Sequence, residues 1–180
     1  MLLTLHRAVQ SLSIKEFATT EVLIIIGQGS TQGRWVLDEK MLCDRYAYFR
    51  AAFQGGWSET YTKTITLPED DPKEFGFIVD LILYGKTNIY RHFGRDDQAL
   101  QLGLCKAYLL VDMFGCEDLA VTIHNVFLCY ICSSPAGFAT RRVSNEAAKL
   151  IIDNTMDSDR LQRVRRNFLG LSVPLFPLPS

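Results

Sequence analysis

The sequence lacks most of what would mark an enzyme or a membrane protein. Its longest purely aliphatic run, Val22-Leu23-Ile24-Ile25-Ile26, is five residues, against the roughly 20 a transmembrane helix needs. Charge arrives at His6-Arg7 before a signal-length apolar run develops, so no targeting segment is expected. Low-complexity tracts and internal repeats are missing. A net charge of -1 leaves no global attraction to nucleic acid or anionic membrane. Only three histidines occur, His6, His92 and His124, and they fall in different predicted elements. No H-E-x-x-H, phosphate loop or nucleophile elbow is found. The expectation is a non-enzyme with no cofactor and no metal, whose partners are proteins rather than nucleic acid or membrane.

Some patterns imitate chemistry. Gly27-x-Gly29-x-x-x-Gly33 resembles a dinucleotide fingerprint, but its third glycine comes one residue late. Arg34-Trp35-Val36-Leu37 then reads as a strand where a helix is needed, so a hairpin tip is the better reading. Cys129-Tyr130-Ile131-Cys132 is a lone pair at the end of an apolar helical pattern. It lacks a second pair for zinc, and it lacks the helix N-terminus that would activate a thiolate. Core packing is expected there. The odd cysteine count (Cys43, Cys105, Cys116, Cys129, Cys132) indicates reduced core thiols. That places the chain inside the cell, in cytoplasm or nucleus. Glu69-Asp70-Asp71 sits where a helix start favours acid. Arg160, Arg163, Arg165 and Arg166 form a basic helical patch, read as a solvated or partner-facing surface.

What is present is a chain that can bury a core: 48% hydrophobic and 22% charged residues, the balance of a globular protein. The predicted order is α+β. An amphipathic turn at Leu5, Val9 and Leu12 precedes a strand at 22–26, expected to be buried on both faces. A glycine-rich tip leads to a returning strand at 35–37. Met41, Leu42, Tyr46, Phe49 and Phe53 then recur at helical spacing, giving two short helices capped by Asp38 and stopped by Gly55-Gly56. A third strand spans 62–67. Asp70-Asp71-Pro72 starts a helix burying Phe75, Ile78, Val79 and Ile82 and ending at Gly85. Residues 86–98 read as loop, and 100–113 and 117–132 as helices, the second presenting Leu119, Ile123, Val126, Phe127 and Tyr130. Weaker helical patterns cover 145–152 and 158–169, before an extended proline-rich tail.

Residues carried on this frame resemble the BTB/POZ family. Trp35-Val36-Leu37-Asp38-Glu39, with Met41-Leu42-Cys43-Asp44-Arg45-Tyr46-Ala47-Tyr48-Phe49-Arg50-Ala51-Ala52-Phe53, is similar to that family's F-x-V-H-K followed by L-x-x-R-S-x-Y-F-x-A-x-F. Trp57-Ser58-Glu59, Ile65 to Pro72 and Leu83-Tyr84-Gly85 continue in register. The likeness covers residues 15–132 and is greatest to short fungal-type members. It implies a BTB/POZ fold, a small sheet of three or more strands flanked by short helices. It also implies an N-terminal helix over 1–14 and a helical extension over 133–180.

By that resemblance the protein is an interaction module, an adaptor linking a cullin-type ubiquitin ligase scaffold to a target. The cullin side would be Trp57 and Glu59 of a hydrophobic-x-Glu element, with Phe53. Trp57 packed down over the helices is the competing placement. A homo-oligomerising scaffold or a transcription-associated protein is the alternative. Its dimer interface would involve Leu5, Val9, Leu12, Glu21, Asp38 and Glu39. Asp38-Glu39 replaces the family's His-Lys, so Glu21 and Glu39 would repel if close.

Overall fold

The computed structural model describes residues 20–132 and 142–154. Expectations for Leu5, Val9, Leu12 and the arginines from Arg160 to Arg166 lie outside these residues. Three strands form one mixed sheet in the order β2-β1-β3: β1 Glu21–Ile26, β2 Gly33–Asp38 and β3 Thr64–Leu67. β1 runs antiparallel to β2 (Ile24 opposite Trp35) and parallel to β3 (Ile24 opposite Ile65). The β1–β2 connection is a glycine-rich turn with one 3-10 segment at Gly29–Thr31. It is a hairpin tip, as the strand character of residues 34–37 requires. Gly27 has φ +79° and lies against the Pro72 ring, where a Cβ would sit 3.2 Å from it.

β1 departs from expectation. Val22, Ile24 and Ile26 are fully buried, while Leu23 and Ile25 are only half-buried. Side chains alternate across a strand, and among the described residues only one face of this sheet is fully covered.

Eight helices follow among the described residues. α1 (Glu39–Arg45) and α2 (Ala47–Gln54) are the two short helices read from the Met41–Phe53 spacing, and Asp38 caps the first through Met41 N at 2.6 Å. α3 (Ser58–Thr62) is a further short helix that the sequence did not disclose; it meets the expected third strand at Thr62, and β3 itself begins at Thr64. α4 (Pro72–Tyr84) is capped by Asp71, with Pro72 in its first turn. It buries Glu74, Phe75, Phe77, Ile78, Val79, Leu81 and Ile82, so it is the central helix rather than one with a single apolar face.

α5 (Ile89–Phe93) interrupts the segment read as loop. Its anchor is Phe93, seated on Gly103, where a Cβ would lie 2.2 Å from the ring. α6 (Asp97–Met113) and α7 (Glu117–Cys132) pack together, and α8 (Asn145–Asp153) lies on α6. Buried Gln101 ties α8 down: its Nε2 donates to Arg142 O and its Oε1 accepts from Ser144 N. Ala147 and Ile151 thereby join the same core as the sheet and α4. The architecture is α+β, a small mixed sheet with helices gathered on its buried face.

Candidate functional site

The sequence between α2 and β3 displays two large exposed aromatic side chains. Trp57 is the N-cap of α3 and is 68% exposed; Tyr61, four residues on, is 81% exposed. Trp57 has extended backbone (φ -77°, ψ 174°) just ahead of the first turn and Tyr61 lies in the last, so the two exposed rings bracket α3. Trp57 therefore stands out from the helices instead of packing over them. Glu59 is half-buried between them, accepting from Ser58 Oγ at 2.9 Å. Its charge reaches Tyr48, whose phenol is pushed up first by burial, then by Glu59 and Asp70.

A five-residue helix has little stability of its own, so its position depends on anchors. Thr60 Oγ1 donates to Ala52 O at 3.1 Å and accepts from Gly56 N at 3.0 Å, stitching α3 to α2. Lys63 closes the helix in the left-handed region at φ 52°. Its Nζ lies 2.9 Å from both carboxylate oxygens of Glu39 and donates to Phe53 O at 3.3 Å. An ion pair reaching under α3 thus holds a backbone conformation that non-glycine residues seldom adopt.

Other expected site residues lie elsewhere. Phe53 is 0% exposed and stacked on Phe49, so it cannot be a partner contact; it forms the floor beneath Lys63 and α3. It continues the i, i+4 core row from Phe49, and that row points inward. Glu39 is buried against Lys63 rather than displayed, and Asp38 is occupied as a cap. Glu21 is exposed and pairs in register with Asp38. With Lys63 beside Glu39, like-charge repulsion is not what governs this corner. Tyr61 was the residue missed. Its i+4 relation to Trp57 was visible, but a helix of five residues is too short to show a period.

The cysteines divide. Cys43, Cys105 and Cys116 are buried free thiols, and burial pushes Cys105 and Cys116 up to about 12, with Asp118 adding at Cys116. Cys129 and Cys132, expected in the core, are exposed instead. Tyr130, one residue away, takes the inward position and hydrogen-bonds Asp97. His92 Nε2 lies 2.8 Å from Asp80 Oδ2, the same oxygen that accepts from Thr87 Oγ1 at 3.1 Å. Both partners converge on one carboxylate, an arrangement that ties α5 to α4 and lines up no nucleophile with a base.

Among the described residues no group of three or more His, Cys, Asp or Glu is placed to hold a metal ion, and no helix is long and apolar enough to cross a membrane. No protein-family model matches the chain. A search of curated proteins likewise returns no match.

Proposed function

We propose that this chain is a protein-docking module of the BTB/POZ type that engages a cullin-type scaffold through the α3 surface. The observation supporting this most directly is the pair Trp57 and Tyr61, two large exposed rings at either end of α3, with the half-buried Glu59 between them in the chain. Exposed aromatics held on a pinned element supply the kind of anchor that dominates protein interfaces. The Trp35–Phe53 resemblance supplies the partner class.

The test is binding of the full chain to a cullin N-terminal region by biolayer interferometry. The expected result is association that Trp57→Ala weakens by at least about 30-fold, the range of an interfacial hot spot. Glu59→Ala should weaken it less. No association, or association indifferent to both changes, overturns the proposal.

A second reading is self-association through the outer sheet face, where Leu23 and Ile25 are half-exposed and their neighbour Val36 is 59% exposed. Sedimentation equilibrium at micromolar concentration decides it, since a clean monomer removes this reading.

A further inference from the structure

A cleft of about 590 Å³ lies where the start of α4, the C-terminal half of α6 and the end of α8 meet. Its lining is predominantly acidic: among the described residues Glu69, Asp70, Asp71, Glu74 and Asp112 stand with one ammonium, that of Lys106. Some of this acidity has local employment. Asp71 caps α4 and Glu69 accepts from Gln28 Nε2. Glu74 has none. It is 6% exposed, and its Oε2 is buried without a hydrogen bond from any other described residue. A buried acceptor left without a donor is destabilising, and here it borders an open cleft.

Burial, then the charge of Asp71, pushes Glu74 up to about 7, against smaller opposing effects of its own backbone amide, Lys106 and Lys73. Asp70 is raised as well, by burial and then by Glu69. Among the described residues neither carboxyl forms an ion pair, Lys106 and Lys73 acting on Glu74 only as the smaller effects.

A ligand suited to this lining brings hydrogen-bond donors and positive charge. The carboxylates are not clustered as metal ligands. The remaining lining is apolar, with Leu109, Met113 and Leu150 along the cleft. An apolar wall beside buried acids suits a long side chain that lays its methylenes on hydrocarbon and presents a cationic head. A guanidinium, with its planar fork of donors, satisfies carboxylates better than an ammonium.

We propose that this cleft is a docking site for an arginine-bearing segment of a partner protein, with Glu74 and Asp70 receiving the guanidinium. A separate chain fits better than the residues that follow Asn154. In these, Asp157 and Asp159 come before Arg160, Arg163, Arg165 and Arg166, so two like charges would have to pass the acidic cleft before the first guanidinium. The site uses none of the residues assigned to the α3 surface and stands whether or not that surface binds a cullin.

The experiment is fluorescence anisotropy of the full chain with a fluorescein-labelled Gly-Arg-Gly-Arg-Gly peptide. A Gly-Glu-Gly-Glu-Gly peptide serves as control, and thermal melts verify folding of each variant. The proposal expects binding of the arginine peptide alone, weakened at least ten-fold by Glu74→Gln with Asp70→Asn and several-fold by Leu150→Ala. Trp57→Ala should leave it unchanged. Absence of binding, or binding indifferent to the two carboxyl substitutions, overturns it. So does binding that emerges only after Arg160, Arg163, Arg165 and Arg166 are changed to Gln, since the cleft would then belong to the chain's own arginines.

Discussion

At the scale of single residues, Glu74 sets the sharpest pH dependence. Its carboxyl titrates at about 7 in the folded chain, above its ordinary value of 4.5, because burial and Asp71 disfavour the charged form. The folded state therefore binds more protons than the unfolded state between those values, and stability falls as pH rises through that window. The two-and-a-half-unit difference corresponds to about 3 kcal/mol at most. Glu74→Gln should remove the dependence, gaining on the order of 2 kcal/mol over wild type at pH 8 and little at pH 5. Urea unfolding at the two pH values measures this. An unchanged difference between pH 5 and pH 8 in the variant would assign the effect to other groups.

The same scale shows what local sequence chemistry discloses. Asp38 and Asp71 are legible as caps, because an N-cap needs only a short acceptor before a helical period. Phe53 is not legible as core or surface, since spacing fixes a row of residues but not which side of the helix meets the sheet. Cys129 shows the same failure with the opposite outcome.

Among elements, length decides what could be read. The Met41–Phe53 helices, α4, α6 and α7 carry enough residues to show a period, and the sequence places them correctly. α3 and α5 are five residues each, too short for a period to declare itself. Their positions depend on tertiary anchors.

Two substitutions test that dependence. Lys63→Met leaves Glu39 buried without its cation and should cost about 2 kcal/mol, below the usual loss for a fully buried pair because Lys63 is one-third exposed. Amide exchange over residues 57–62 should accelerate in that variant. If those amides keep their wild-type protection, the ion pair does not hold α3. Gly103→Ala places a methyl within the Phe93 ring position and should destabilise by about 1–3 kcal/mol through overpacking. Phe93→Leu in the same background should recover part of the loss in urea titrations, by giving the methyl room.

For the molecule as a whole, the acidic cleft could not be read from the sequence. Its walls come from three separated stretches, and Glu69-Asp70-Asp71 reads locally as nothing more than a helix start. The cleft exists because α8 is laid on α6, and Gln101 is the joint. One buried amide satisfies a carbonyl at Arg142 and an N–H at Ser144, on a stretch that leads directly into α8. Replacing Gln101 with Leu keeps its bulk but removes both partners, leaving two backbone groups to recover water by lifting the segment. The expected result is a local opening: amides over 145–153 should exchange at least ten-fold faster, while those of β1 and α4 stay protected at the wild-type level. Global stability should fall by only about 1–2 kcal/mol, because Ala147 and Ile151 are the only buried side chains of α8. If protection of β1 collapses in step with α8, the helix is an integral part of the core and Gln101 supports the entire fold. If only α8 opens, the cleft has a wall that can detach from an intact domain, and the arginine peptide should bind the Gln101→Leu variant less tightly than wild type.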